Sequence, residues 1–237
     1  MKIEKYSGRV IEGEGPVENI YVYEAPVRIW HWITVLMMIP LVVTGYLIAE
    51  PPLSVGGEAT FIYGFAWIRI IHFSCAMIFA IALIMRIYWA IVGNYHAREL
   101  FLPPVWRLVW WRGIFGQAAY YLFLRKDSDS WVGHNPLAQI AMFSMFVLGA
   151  LLITVTGFAL FAQQWAWGVS WMKMFGWVHV LFGEPQAVRT VHHLTMYYLL
   201  AFSIVHMYMV FREDIMGKET VISTMVNGIR AFKVKEH

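Results

Sequence analysis

The chain has 237 residues, of which 59% are hydrophobic and only 14% are charged. With a mean hydropathy of +0.57, this composition excludes an ordinary soluble domain, which is about 25% charged, and indicates an integral membrane protein. The single cysteine, Cys75, excludes an intrachain disulfide, a Cys-x-x-Cys-His haem attachment and a self-contained iron–sulfur cluster, so any redox cofactor must be held mainly by histidine.

The first stretch of the chain, residues 1–20, is polar and lacks the apolar core of a signal peptide, which predicts a flexible cytoplasmic tail. Residues 21–237 are expected to form one membrane domain. Within it, four apolar runs are each about long enough to cross roughly 30 Å of hydrocarbon as a helix. They cover approximately residues 29–49, 67–92, 137–162 and 190–211. Lipid-exposed strands would leave backbone groups unpaired, so the predicted fold is all-α, an integral membrane four-helix bundle, and Pro40 is expected to kink its first helix.

Two connecting segments combine aromatic residues with basic residues or methionine. They are residues 101–124 and 164–183. Both predict additional interfacial helices, one on the inner and one on the outer membrane surface. The alternative is that they form a docking surface for a partner protein.

Basic residues predict the orientation of the bundle. Of the 18 lysines and arginines, 15 lie in residues 2–28, 86–126 and 212–235, on one side of the membrane, and only 3 lie on the other. The positive-inside rule therefore places both termini and the long middle loop in the cytoplasm.

Four histidines in the apolar runs form two pairs at two depths. His192 and His206 are fourteen residues apart, so they project from nearly the same helix face about 21 Å apart, whereas His193 points off that face. His72 shares the outer leaflet with His192, and His31 shares the inner leaflet with His206. Facing side chains of a bundle build cofactor sites, and histidine is a common axial ligand of haem iron. The pattern predicts two haem b groups, with an alternative in which the histidines only bridge helices.

An Arg-x-x-His motif accompanies three of these histidines, at Arg28–His31, Arg69–His72 and Arg189–His192. Each arginine lies one turn nearer the membrane surface on roughly the same face, where it suits a haem propionate, although an arginine near a helix end is also a common interfacial anchor. Arg212 follows the fourth histidine with a poorer angular match.

Two glycines recur in similar contexts, Gly45 in "VVTGY" and Gly157 in "TVTGF". Glycine there allows close approach of a flat macrocycle or of another helix, and these two readings are equally favoured.

The segment "GHNPLAQ", Gly133–Gln139, starts the third run. His134, Asn135 and Gln139 are candidates to hydrogen-bond a quinone carbonyl, and His134 is a candidate proton donor. The alternative is ordinary helix capping, because Asn before Pro is typical of a helix start.

With these residues in view, the chain resembles the cytochrome b subunit of membrane-bound nickel–iron hydrogenases over nearly everything after about Tyr21. The likeness is closest at "RIWHWITVLMMIPLVVTG" and "RTVHHLTMYYLLAFSIVH" and continues through "MRIYWAIVGN", "GHNPLAQIAMF" and "REDIMGKETVISTMVNGIR". Tyr197 departs from the family, where tryptophan is expected. More distantly, the helix plan is similar to the cytochromes of respiratory formate dehydrogenases.

The resemblance implies two haem b groups with ligands at His31, His72, His192 and His206. It also implies partnership with the small and large subunits of a nickel–iron hydrogenase, electron transfer to a quinone and a place in the bacterial inner membrane; no nucleic-acid partner is expected. Three alternatives stay open at this point. They are a gamma-type cytochrome of another dehydrogenase, a haem-free membrane anchor, and a histidine-based metal transporter, which the near absence of carboxylates in the four runs disfavours.

Overall fold

The computed structural model of the chain describes residues 5–7, 17–51, 63–126, 131–164, 168–217 and 220–233. Four helices there are long and apolar enough to cross a membrane: Ala25–Ala49, Gly64–Val92, Pro136–Gln163 and Pro185–Met216. The prediction of a four-helix membrane protein is confirmed. Each helix begins one to five residues before its apolar run, because helical hydrogen bonding continues into the polar residues that a hydropathy pattern leaves out.

Two of these spans are single unbroken helices in the first half of the chain, α1 (Ala25–Ala49) and α2 (Gly64–Val92). Pro40 lies inside α1 and cannot donate a backbone hydrogen bond. The Thr44 hydroxyl donates to the Pro40 carbonyl one turn earlier, at 2.5 Å. A short helix, α3 (Tyr95–Arg98), and the helix α4 (Leu108–Tyr121) follow before the third span.

The third span is interrupted, which the apolar pattern did not predict. It consists of α5 (Pro136–Ala141), a π-helical segment (Met142–Val147) and α6 (Leu148–Gln164). The Ser144 hydroxyl donates to the Ile140 carbonyl at 2.7 Å. A side-chain bond of this kind competes with the helical backbone ladder, and such bonds often accompany helix irregularity. The remaining helices are α7 (Gly168–Phe182), α8 (Pro185–Gly217) and α9 (Val221–Asn227).

The chain divides into two compact units. The first unit comprises Met1–His31, Arg86–Val147 and Ser203–His237, and the second comprises Trp32–Met85 and Leu148–Phe202.

The first unit contains a small antiparallel sheet that the sequence analysis did not predict. Strand β2 (Val17–Tyr21) pairs with β1 (Lys5–Ser7) on one side and with β3 (Ile229–Lys233) on the other. The turn from α9 into β3 uses Gly228, whose φ is +83° and whose missing Cβ would lie 2.5 Å from the Tyr23 carbonyl oxygen. Of the predicted flexible tail, residues 1–4 and 8–16 lie outside the described residues, and the rest forms strands.

The core of the first unit joins the start of α1 to the end of α2. Val22, Tyr23, Val27 and Ala97 are buried together. The Glu24 carboxylate accepts hydrogen bonds from the Trp89 indole at 2.9 Å and from the Asn94 backbone at 3.0 Å.

The two predicted interfacial segments are helical, as α4 in the first unit and α7 in the second. On α4, Val109, Trp111, Arg112 and Phe115 are all exposed. On α7, Val178 packs with Ala159 of α6 and Val188 of α8, while residues 165–167 of the predicted segment lie outside the described residues. An interfacial location of these helices stays a prediction.

Candidate functional site

The second unit encloses a cavity of about 610 Å³ between the four spans. This volume lies within the usual range of ligand sites, roughly 300–1,000 Å³. Most of the lining is apolar, as in other cofactor sites, but two histidines and two arginines also line it: His72, His192, Arg69 and Arg189. The four residues that the sequence analysis assigned to an outer haem site are therefore brought together around one cavity.

His72 reaches the cavity from α2 and is held by α1. Its Nδ1 lies 2.9 Å from the Thr44 hydroxyl. That hydroxyl already uses its only hydrogen in donating to the Pro40 carbonyl, so it must accept the second bond. The His72 ring therefore carries its proton on Nδ1, and the lone pair on Nε2 remains available to a metal.

His192 repeats this arrangement with α8 in place of α2 and α6 in place of α1. Its Nδ1 lies 3.0 Å from the Thr156 hydroxyl, which donates to the Leu152 carbonyl at 2.7 Å. The same logic places the His192 proton on Nδ1 and leaves the lone pair on Nε2 available to a metal. The two imidazoles are close enough to interact electrostatically.

The two glycines singled out in the sequence lie against these same rings. A methyl group at Gly45 would lie 3.3 Å from Cε1 of His72, and one at Gly157 would lie 3.1 Å from Cε1 of His192. In each case the group that approaches closely is an imidazole on another helix, and close approach of a macrocycle stays a prediction.

The two arginines of the cavity differ in their contacts. The Arg69 guanidinium lies 5.8 Å from the centre of the Phe73 ring. Arg189 is exposed, and its Nη1 donates to the Gln186 side chain at 3.4 Å. His193 also reaches the lining, where it packs edge-on against Tyr197 at 4.9 Å between ring centres.

The other predicted haem ligands, His31 and His206, both lie in the first unit. Their rings are close enough to interact electrostatically, and their pairing as haem ligands stays a prediction. Arg28, predicted to meet a propionate here, instead donates through Nη1 to the Val226 carbonyl of α9. Arg212 is buried, stacks over Tyr120 at 4.5 Å and pairs with Glu213 at 3.2 Å.

The predicted quinone residues also lie in the first unit, and two of them have structural bonds. The Asn135 side chain caps α5 by accepting from the Ala138 backbone at 2.8 Å and donates to the Tyr121 hydroxyl at 3.0 Å. The Gln139 side chain accepts from the Trp110 indole at 2.7 Å and donates to the His134 carbonyl at 3.1 Å. Both amides therefore have their polar atoms engaged, as the capping alternative anticipates for Asn135.

His134 has a different environment. Its Nδ1 forms a hydrogen bond with the Tyr23 hydroxyl at 3.1 Å. Burial, followed by the nearby charges of His206, Arg230 and others, lowers the pKa of His134 to about 3. Burial and the carboxylate of Glu99 raise the pKa of Tyr23. At neutral pH both partners are uncharged, so His134 is suited to hydrogen bonding and not to acting as a cationic acid.

Sequence reasoning missed the two threonines that hold the histidines. The signal was present in the segments quoted for their glycines, because "VVTGY" and "TVTGF" share the dipeptide Thr-Gly. The apolar background of each segment drew attention to the small residue, and nothing in one helix shows which residue of another helix its hydroxyl meets.

Comparison with known proteins agrees with a b-type cytochrome. Residues 22–228 match the family described as prokaryotic cytochrome b561. Similar proteins named "Probable Ni/Fe-hydrogenase B-type cytochrome subunit" include one from Azotobacter chroococcum. It is 50% identical to this chain, and the alignment covers 90% of this chain and 89% of the Azotobacter protein. The Cupriavidus necator protein of that name is 46% identical, and the alignment covers 95% of this chain and 92% of that protein. A protein from Escherichia coli K12 with the name "Probable Ni/Fe-hydrogenase 1 B-type cytochrome subunit" is 49% identical. The alignment covers 92% of this chain and 93% of that protein. The chain therefore belongs to the prokaryotic cytochrome b561 family, a family of membrane cytochromes that hold haem b.

Proposed function

We propose that this chain is the membrane cytochrome subunit of a nickel–iron hydrogenase, holding two haem b groups and passing electrons from the hydrogenase to a quinone. The names of its relatives support the partner. The observation that carries the proposal is the cavity of the second unit, where two imidazoles with available Nε2 atoms face a common space.

The residues of this cavity fit haem b. The lining is mainly apolar, as a porphyrin requires, and two histidines supply the nitrogen ligands that haem iron takes in membrane bundles. Arg69 and Arg189 supply cations for carboxylates such as propionates. When bound, haem supplies an iron that gains and loses one electron. The chain's own residues hold the ligand rings, keep water from the apolar lining and neutralise acidic groups at its edge.

A second haem is proposed at His31 and His206. Two features support it: the two rings interact electrostatically, and His206 follows His192 by fourteen residues in α8. Arg28 donates a hydrogen bond to the Val226 carbonyl. We therefore assign no residue of this site to a haem propionate.

The orientation of the chain is part of the proposal. The strong excess of lysine and arginine on one side supports cytoplasmic termini in the bacterial inner membrane. His72 and His192 then belong to the outer half of the membrane, on the side proposed for the hydrogenase. Moving a charge inward from there against 100 mV requires about 2.3 kcal/mol, so electron transfer to a quinone on the inner side would conserve energy.

The quinone is proposed to bind beside His134. In the hydrogen bonds of the described residues this ring uses Nδ1, toward Tyr23. If the tyrosine donates, the imidazole proton resides on Nε2, where it can donate to a quinone carbonyl. Asn135 and Gln139, whose side chains have partners already, support the local fold of this site.

The test is haem quantitation with reduced-minus-oxidised spectra on the complex carrying wild-type chain or His192→Ala. We expect about two haems per chain to fall to about one, because only the site lined by His192 should empty. The matched control is His179→Ala, in the same unit, where the His179 ring bonds the Ala159 carbonyl; it should retain two. Retention of both haems in His192→Ala would refute the assignment.

The partner is tested separately by isolating the complex through an affinity tag on this chain and measuring its metals. Nickel and iron in the co-purifying subunits support the proposal. Molybdenum or tungsten would replace it with the alternative of a gamma-type cytochrome of a respiratory formate dehydrogenase.

A further inference from the structure

We propose that Thr44 and Thr156 are positioning residues that set the ring orientation and the electron-donor strength of the two histidines at the cavity. The inference rests on the proposed ligation of haem by His72 and His192. It adds a second layer of residues to that site, one on α1 and one on α6, each acting through an imidazole of the neighbouring helix.

The two contacts share their main geometry, although the Thr156 hydroxyl also lies 3.2 Å from the Ile153 carbonyl. Each threonine donates to the carbonyl four residues earlier and accepts from Nδ1 of a histidine. Both threonines are buried, Thr44 with 6% of its surface exposed and Thr156 with none. Each is followed by a glycine that gives room to the Cε1 edge of the same ring.

Helix back-bonding alone does not explain this arrangement. Thr195 of α8 is also buried and also donates to the carbonyl four residues earlier, at 2.7 Å to Val191, yet this bond involves no imidazole. A threonine whose hydroxyl only needs an acceptor is satisfied by one backbone carbonyl, as Thr195 is. The added bond from a histidine on another helix, found at both Thr-Gly dipeptides, points to a role in holding the histidine.

The chemical consequence follows from the direction of the bond. An imidazole that donates a hydrogen bond from Nδ1 becomes a stronger electron-pair donor at Nε2 and keeps one ring orientation. Removal of such hydrogen-bond partners typically weakens metal binding about 10- to 100-fold. A stronger nitrogen donor favours the oxidised, more positive iron. Because the backbone carbonyls of Leu41 and Ile153 also interact with the two rings, loss of one hydroxyl removes only part of this effect.

The experiment is a redox titration of the haems in the purified complex carrying Thr44→Val or Thr156→Val. Valine keeps the shape and removes the hydroxyl. We expect the reduced form of one haem to be favoured about threefold to tenfold, a rise in its midpoint potential of about 28–59 mV for one electron. The other haem should keep its potential. The low-spin ferric electron paramagnetic resonance signal of the affected haem should also shift, because the ring is free to rotate.

Matched variants separate positioning from packing. Thr44→Ser and Thr156→Ser retain the hydroxyl and should restore the wild-type potential and spectrum, and Thr195→Val should change neither. Unchanged potential and spectrum in both valine variants at full haem content would overturn the inference and leave the haem assignment intact, whereas retention of both haems in His192→Ala would overturn the assignment itself. If Thr156→Val fails to assemble, Thr44→Val decides the question alone.

Discussion

Replacing Gly157 by alanine tests whether the glycine of the Thr-Gly dipeptide exists to make room for a histidine. The new methyl group would lie 3.1 Å from Cε1 of His192. Carbon atoms pack best at about 3.5–4.0 Å, so the ring must move by roughly 0.4–0.9 Å. The hydrogen bond from His192 to Thr156 is 3.0 Å long, and a shift of that size brings it to the outer limit of hydrogen bonding.

Two opposing energies decide the result. Alanine in place of glycine stabilises a helix interior by about 1 kcal/mol, whereas overpacking a filled site costs about 1–3 kcal/mol. Gly157→Ala should therefore lose up to about 2 kcal/mol of unfolding free energy. At Gly45 the methyl would lie 3.3 Å from His72, and the two effects should nearly cancel. At Gly176 of α7 the nearest atom is the flexible end of Met172 at 3.7 Å, so alanine should stabilise.

Thermal unfolding of the detergent-purified complex measures this series, with haem content read on the same samples. For a chain of this size 1 kcal/mol corresponds to about 2–4 °C. The midpoint temperature of unfolding should rise for Gly176→Ala, stay nearly unchanged for Gly45→Ala and fall for Gly157→Ala. Only Gly157→Ala should lose haem. Equal stability and full haem content in Gly157→Ala and Gly176→Ala would refute the reasoning that the imidazole fills this space.

Two further predictions concern the first unit. Asn135→Ala should destabilise by about 1 kcal/mol through loss of the α5 cap, and Asn135→Ser should largely restore stability; a raised KM for quinone in the serine variant would instead show a direct role in quinone binding. The low pKa of His134, about 3 against an ordinary 6.5, means that the unfolded chain binds one more proton between those values. Stability should therefore fall by up to about 1.4 kcal/mol per unit as pH decreases from 6.5 toward 3. His134→Gln should flatten this slope in unfolding midpoints measured against pH, and an unchanged slope would contradict the buried, neutral assignment.

The membrane spans could be predicted from the sequence because a single local property, about twenty consecutive apolar residues, determines them. The sheet of the first unit could not, since its strands are three to five residues long and β2 pairs with β3 roughly 200 residues away. The pairing of His72 with His192 joins two distant parts of the chain, as the sheet does, yet it was predictable from local sequence, as the spans are. Helix direction and residue count fix the depth of a side chain in the membrane, and depth suffices to match two histidines.

Arg28 shows where this reasoning stops. Its spacing from His31 matches that of Arg69 from His72, yet its guanidinium bonds the Val226 carbonyl, while Arg69 lines the cavity. The spacing fixes only the face of the helix. Which group a long side chain then meets depends on what packs against that face, and in the first unit a C-terminal helix supplies a carbonyl that nothing in the motif specifies.

The threonines, together with the backbone carbonyls of Leu41 and Ile153, explain how a buried histidine is tolerated in such an apolar bundle. A neutral imidazole buried in a membrane has one N–H, which is costly to leave without an acceptor. A carboxylate would bring an unpaired charge, and an amide would bring two additional donors that need partners of their own. Threonine brings one hydrogen, which its own helix accepts, and therefore presents only an acceptor to His72 or His192. The same choice on two helices is what the need to satisfy the buried N–H of each histidine predicts.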